Sequence, residues 1–272
     1  MRTSSVTTTE ERCCAPGDLP GSPGSGLQLH ALPSVEAVAQ QAASALLEAC
    51  LAQPRRPLGL ATGRTMEPVY AAFAALVRDR PAREREALRH QWCSFNLDEY
   101  VGLGPEDVGS FAAEMRAGLC EPLGLSPDRV RLPDGRAADP AAEARRYGAA
   151  LRQAGGVGLQ LLGLGLNGHV GFNEPPCGPD SRCRCVPLCA STRQANAAAF
   201  GGDPSRVPNR AITLGMVEIL QAERILLVVT GAAKAPVLRR LLHSPPSADL
   251  PASWLHSHPC VSLLADADAL AP

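Results

Sequence analysis

Four short apolar runs, each passing into a turn and then into a helix-period segment, restrict what this chain can fold into more than any other feature. They read LGLA (58–61), CSFNL (93–97), VGLQLLGLG (157–165) and ERILLVVTG (223–231). Between and around them lie VEAVAQQAASALLEACL (35–51), MEPVYAAFAALVRDR (66–80), DPAAEARRYGAALRQAG (139–155) and AKAPVLRRLLH (233–243), whose apolar residues recur at helical spacing. Apolar runs of this length suit strands covered on both faces, and strands alternating with helices predict a mostly parallel sheet with helices on both sides. The fold class expected is therefore α/β, doubly wound and Rossmann-like. Ligands in such sheets bind beyond the carboxyl ends of the strands, so the informative residues are those just after each run.

Composition narrows the partner. With 272 residues, 45% of them hydrophobic, the chain can bury a sizeable core, and a formal net charge of −1 provides no global footprint for nucleic acid or an anionic membrane. The first 26 residues are rich in Ser, Thr, Pro and Gly and read as a disordered N-terminal extension, leaving 27–272 as one domain. That extension has no apolar signal core, and no apolar run approaches the roughly 20 residues needed to span a bilayer. A cytoplasmic protein with a small-molecule partner is expected, and its ten cysteines are then read as thiols in a reducing compartment. Cys177, Cys183, Cys185 and Cys189 are separated by five, one and three residues, a poor match to the paired C-x2-4-C spacing of zinc sites. Cys13 and Cys14 lie in the extension.

Several polar groups follow the apolar runs. Thr62-Gly63-Arg64-Thr65 links LGLA to a helix and could cradle an anion with its amides and hydroxyls, although it lacks the P-loop pattern and an ordinary turn is equally compatible. Lys234 holds the same position after ERILLVVTG, and it is the single lysine among 26 basic residues. A compact ammonium enters a phosphate pocket where a planar guanidinium is bulky. Asp98-Glu99 closes CSFNL, where an acid could serve as a base or merely cap a turn. Asn167-Gly168-His169 and Glu174 follow VGLQLLGLG, the strongest strand, and an imidazole between polar groups suggests proton transfer. No G-x-S-x-G motif is present, so a hydrolase serine mechanism gains no support.

At these residues the chain resembles the glucosamine-6-phosphate deaminase family, which shares its fold with 6-phosphogluconolactonases. The resemblance runs from about residue 27 to 265 and is carried by LGLATGRTMEPVY, FNLDEYVGL, LLGLGLNGHVGFNEP, STRQANAAAF, VPNRAITLGMVEIL and VVTGAAKA in that order. It implies ring opening, aldose-ketose isomerisation and deamination of a 2-amino-2-deoxyhexose 6-phosphate, a hydrolase- and isomerase-type activity with no metal or organic cofactor. Glucosamine 6-phosphate, giving fructose 6-phosphate and ammonia, is the substrate favoured. Galactosamine 6-phosphate remains open, as does assembly into a homo-oligomer. The roles implied are Asp98 as the base between C2 and C1, His169 for ring opening with Asn167 beside it, and Glu174 to position and polarise the histidine. Thr62, Gly63, Arg64, Thr65, Arg193 and Lys234 are implied at the phosphate.

Two departures stand out. Asn167 replaces the Asp of a D-G-H motif, and an amide can orient an imidazole without neutralising an imidazolium. Arg64 replaces the second glycine of a T-G-G-T loop. Cys177 and Val186 occupy positions where allosteric members need a serine and a lysine, while Arg184 is kept, so activation by an amino-sugar phosphate through that site is not expected. The lactonase branch reads D-G-H-x-A-S-L-F where this chain reads NGHVGFNEP, and a non-catalytic sensor would need neither Asp98 nor His169. Both alternatives are accordingly less favoured.

Overall fold

The computed structural model describes residues 26–52 and 56–272; the remainder of the N-terminal extension, with Cys13 and Cys14, lies outside the described residues. In chain order the elements are β1 (Leu27–Leu32), α1 (Val35–Leu51), β2 (Leu58–Leu60), α2 (Glu67–Arg78), α3 (Ala82–Gln91), β3 (Ser94–Asn96), β4 (Asp98–Tyr100), α4 (Phe111–Met115), α5 (Glu121–Leu123) and β5 (Val130–Arg131). They continue with α6 (Pro140–Gln153), β6 (Leu159–Gly163), β7 (Arg184–Pro187), α7 (Ala190–Asn196), β8 (Arg210–Thr213), α8 (Met216–Leu220), β9 (Arg224–Val229), α9 (Ala235–His243) and β10 (Val261–Asp266).

Seven strands form one parallel sheet in the order β1-β10-β9-β6-β2-β3-β5. From β2 the chain winds outward through β3 to β5, and from β6 it winds the other way through β9 to β10. The reversal falls between β2 and β6, whose register pairs Leu58 with Leu159 and Gly59 with Gln160. Doubly wound sheets open a crevice at such a reversal, beyond the strand ends. Here the two strands release residues 61–66 and 164–169 side by side.

Local chemistry accounts for the helices that flank the sheet. Ser34 caps α1 by accepting from the Ala37 amide, and Asp139 caps α6 by accepting from Ala141 and Ala142, with Pro140 in the first turn. Val38, Ala42 and Leu46 bury one stripe of α1, and Val69, Phe73 and Val77 one stripe of α2. The small residues let these helices approach each other and the sheet. The helix α3, the edge strand β1 and its neighbour β10 were not read from the sequence; α3 is strongly charged, with Leu88 as its one buried residue.

The acids after CSFNL do not end a strand in a loop. At Leu97 the strand leaves one sheet and enters another: Leu97 N–H donates to Leu60 O, while Leu97 O accepts from Leu214 N–H. Residues 98–100 then pair antiparallel with β8, which also pairs with β7, giving a three-stranded sheet in the order β4-β8-β7. A second, smaller core of Tyr100, Phe172, Val186, Leu188, Phe200 and Val207 packs beneath it.

Leu162 is fully buried on β6, between β2 and β9. Leu162→Ala should cost about 2–5 kcal/mol of unfolding free energy, read from urea denaturation midpoints at unchanged slope.

Candidate active site

A cavity of about 350 Å³ opens at the sheet reversal, within the rough 300–1,000 Å³ range of small-molecule sites. Three strand ends supply most of its polar lining: Thr62, Gly63, Arg64 and Thr65 after β2, Asp98 after β3, and Gly165 and His169 after β6. Lys234 enters after β9. Tyr100, Phe111 and Phe172 form an aromatic wall, with Phe111 and Phe172 stacked at 5.8 Å between centroids. From α7, Thr192 and Asn196 close another side.

Gly63 turns the loop with a φ of 99°, a conformation that side-chain-bearing residues rarely adopt. Its N–H donates to the Glu114 carboxylate at 2.5 Å. Lys234 lies at the N-cap of α9, after a 3-10 turn over Ala232–Lys234, and its Nζ donates to Leu164 O at 2.6 Å. Burial lowers the Lys234 pKa, and the neighbouring Arg64 cation lowers it further. Two neighbouring cations lining one cavity favour an anionic ligand, since an anion relieves their mutual repulsion.

Asp98 and Glu99 point to opposite faces because they are successive residues of one strand. Asp98 faces the cavity. It is buried, and burial raises its pKa well above the ordinary carboxylate value, with Glu99 and Glu114 adding to the rise and the Phe172 amide opposing it. Gly171, with a φ of 57°, brings the backbone close: a Cβ there would sit 3.3 Å from Asp98 Oδ2. Glu99 turns away and accepts from the amides of Tyr100, Phe111 and Ala112, fixing the start of α4. Burial nevertheless pushes its pKa up to about 7, against those three hydrogen bonds.

The imidazole of His169 lies over Gly165, where a Cβ would strike the ring. Its Nδ1 is 2.6 Å from Asn167 Oδ1, and the carbonyl oxygen of an amide only accepts, so Nδ1 carries the proton. Nε2 is then left with a lone pair. Burial depresses the His169 pKa to about 4; Glu174 pulls it upward and Lys234 downward. Asn167 therefore suits a neutral ring rather than an imidazolium.

The remaining sequence-predicted residues are placed differently. Asn167, Glu174 and Arg193 are not part of the cavity lining. Asn167 acts on His169 from behind, while Glu174 accepts from the backbone N–H of Cys189 at 2.9 Å and from its thiol at 2.8 Å, tying the loop after β6 to the start of α7. Arg193, on α7, has a buried Nε without a hydrogen-bond partner. Among the described residues, no group of three or more His, Cys, Asp or Glu side chains could hold a metal ion. Cys177 is buried against Asn173, and Arg184 donates to the same Asn173 Oδ1 at 2.9 Å. Sequence reading missed Glu114, which lies in the unremarkable helical stretch AAEM and enters the cavity only because Glu99 aims α4.

Residues 33–263 match the model of a family described as glucosamine-6-phosphate isomerases/6-phosphogluconolactonase. The chain belongs to that family. Among its relatives is a glucosamine-6-phosphate deaminase of Bacillus velezensis (strain DSM 23117 / BGSC 10A6 / LMG 26770 / FZB42), 42% identical over 86% of this chain and 95% of its own length. Another of the same name, from Streptomyces coelicolor (strain ATCC BAA-471 / A3(2) / M145), is 40% identical over 88% of this chain and 90% of its own. A solved structure described as a monomeric glucosamine-6-phosphate deaminase superposes with a TM-score of 0.83 at 38% identity, covering 90% of this chain and all of that one. The 6-phosphogluconolactonase of Trypanosoma brucei, at 19% identity and a TM-score of 0.68, shares the fold. No helix among the described residues is long and apolar enough to cross a membrane.

As a glucosamine-6-phosphate isomerase-family protein, the chain should keep His169 neutral at physiological pH. Ring carbon or nitrogen shifts of His169 should be flat between about pH 5.5 and 8 and move only toward pH 4. A midpoint at the ordinary value of about 6.5 would show that the ring is solvated.

Proposed function

We propose that this protein is a glucosamine-6-phosphate deaminase, converting glucosamine 6-phosphate and water into fructose 6-phosphate and ammonia. The observation that carries the reading is one cavity that gathers two cations, Arg64 and Lys234, with a buried carboxylate, Asp98, and a neutral imidazole, His169. A sugar phosphate offers partners for both sets, with an anion at C6 for the cations and reactive carbons at C1 and C2 for the carboxylate and the imidazole.

In this reading the phosphate meets Lys234, Arg64 and the hydroxyls and amides of Thr62–Thr65, at the mouth of α2 where the helix dipole favours an anion. His169 Nε2, its tautomer set by Asn167, takes the proton from the C1 hydroxyl as the ring opens and returns it to the ring oxygen. Asp98 then removes the C2 proton and delivers it to C1 through an enediol-type intermediate. The resulting C2 imine is hydrolysed by water, which supplies the ketone oxygen, and ammonia leaves. A raised Asp98 pKa strengthens the carboxylate as a base, provided that it is ionised when substrate arrives. Glu174 holds the histidine loop against Cys189 and adds negative charge near the imidazole. Arg193 serves the phosphate if α7 turns it inward, which would give its orphaned Nε a partner. Glucosamine 6-phosphate is favoured over galactosamine 6-phosphate by the names of the relatives, and a cytoplasmic location fits such metabolism.

The primary test is ammonia release from glucosamine 6-phosphate compared with galactosamine 6-phosphate. Asp98→Asn should lower kcat by roughly 10²–10⁴-fold, while Lys234→Ala should act mainly on KM. As pH falls through the raised pKa of Asp98 the base becomes protonated, so kcat/KM should fall on an acid limb above the usual carboxylate range. A wild-type rate from Asp98→Asn would remove it as the base.

Kinetics should be hyperbolic and insensitive to N-acetylglucosamine 6-phosphate, because Cys177 and Val186 replace the needed serine and lysine and Arg184 is turned onto Asn173. Sigmoidal rates relieved by that compound would contradict this.

A further inference from the structure

Two carboxylates of the cavity, Glu67 and Glu114, have no part in the proposed reaction, and Glu114 is the one bonded to the T-G-R-T loop. Glu114 projects from α4 into the site, and its Oε1 takes the Gly63 amide at 2.5 Å. That amide belongs to the loop which should receive the substrate phosphate. An N–H satisfied at that distance cannot also donate fully to a phosphate oxygen.

The carboxylate is not there to neutralise the cations. It bonds to Gly63 rather than to Arg64 or Lys234, and Lys234 donates instead to Leu164 O. Glu67, in the first turn of α2, lines the same cavity and adds negative charge beside Glu114, as does Asp98. Three carboxylates thus share the space with two cations. Asp98 has a task in the reaction, whereas Glu114 bonds the loop proposed for the phosphate, where negative charge opposes binding. Its position is fixed from outside the cavity by Glu99, which accepts from Phe111 and Ala112 at the start of α4, and by Ser110, which caps Ala113.

We propose that Glu114 is an internal competitor for the phosphate loop: it occupies the Gly63 amide in the empty site and weakens the hold on a phosphorylated sugar, setting KM. This rests on the reading that the T-G-R-T loop and Lys234 take the substrate phosphate. A phosphate arriving at the loop displaces the Glu114 carboxylate from Gly63, and the two anions then face each other across the cavity. If Glu114 instead merely braced an otherwise floppy loop, its removal would loosen the anion site.

The two roles predict opposite signs. Sulfate is a suitable probe because its charge is constant over the working pH range. Sulfate affinity would be measured directly, by ligand-detected resonance or thermal shift, for the parent, Glu114→Gln and Glu114→Ala at fixed pH and ionic strength. Both variants should bind sulfate roughly three- to tenfold more tightly, the scale of one like-charge contact in a partly screened site. Adding Lys234→Ala should reduce sulfate binding in each background, which locates the effect in this cavity. For glucosamine 6-phosphate the change should appear as a lower KM rather than a higher kcat. Sulfate binding that is unchanged or weaker in both variants overturns the proposal. Tighter sulfate binding in variants of a parent that releases no ammonia supports the competitor role and removes the deaminase reading.

Discussion

The change of partners at Leu97 is the constraint on which the rest of the site depends. One residue bonds through its N–H to Leu60 in the parallel sheet and through its C=O to Leu214 leading out of the antiparallel one, so the two sheets cannot move independently at that point. Asp98 is the next residue. Its carboxylate therefore stands on backbone held from two directions, and the Gly171 turn closes over it. In the role of base proposed for Asp98 such placement matters, because misplacement of about 1 Å can cost on the order of 10²-fold in rate. The same junction sends Glu99 to the opposite face, where it organises α4 and hence the aromatic wall. Two adjacent acids are thus set to different places, Asp98 lining the cavity and Glu99 holding α4.

Burial controls the electrostatics more than any single ion pair. It raises Asp98, Glu99 and Glu114 and lowers His169 and Lys234, in each case disfavouring the charged form. The cavity consequently gathers groups that are poorly solvated. A ligand with a phosphate at one end and hydroxyls along its length supplies what these groups lack. The N-G-H variant fits the same logic, since a neutral amide is the appropriate neighbour for an imidazole that stays uncharged.

Much of this was legible in the sequence because it depends on local order. The apolar runs marked β2, β3, β6 and β9, and the residues just beyond them, Thr62–Thr65, Asp98, His169 and Lys234, do converge on one cavity. What escaped was set by tertiary pairing. CSFNLDEY reads as one strand, and nothing within it reveals a transfer between sheets. Glu114 sits in a polar helical stretch of ordinary appearance and becomes part of the site only through the Glu99 contact with α4. Glu174 and Arg193 carry family signatures but not lining positions: the first is engaged with Cys189, whose thiol no spacing argument had linked to it, and the second is half-buried on α7.

Lys234 also gives the protein an unusual chemical property. Apart from the chain's α-amino group, its side chain is the one primary amine in 272 residues. Its lowered pKa leaves a larger share of that amine unprotonated, and hence nucleophilic, than at an exposed lysine. Amine-directed acylation or reductive alkylation would therefore label one side chain, inside the cavity, and the extent of labelling would report directly on whether the cavity is occupied.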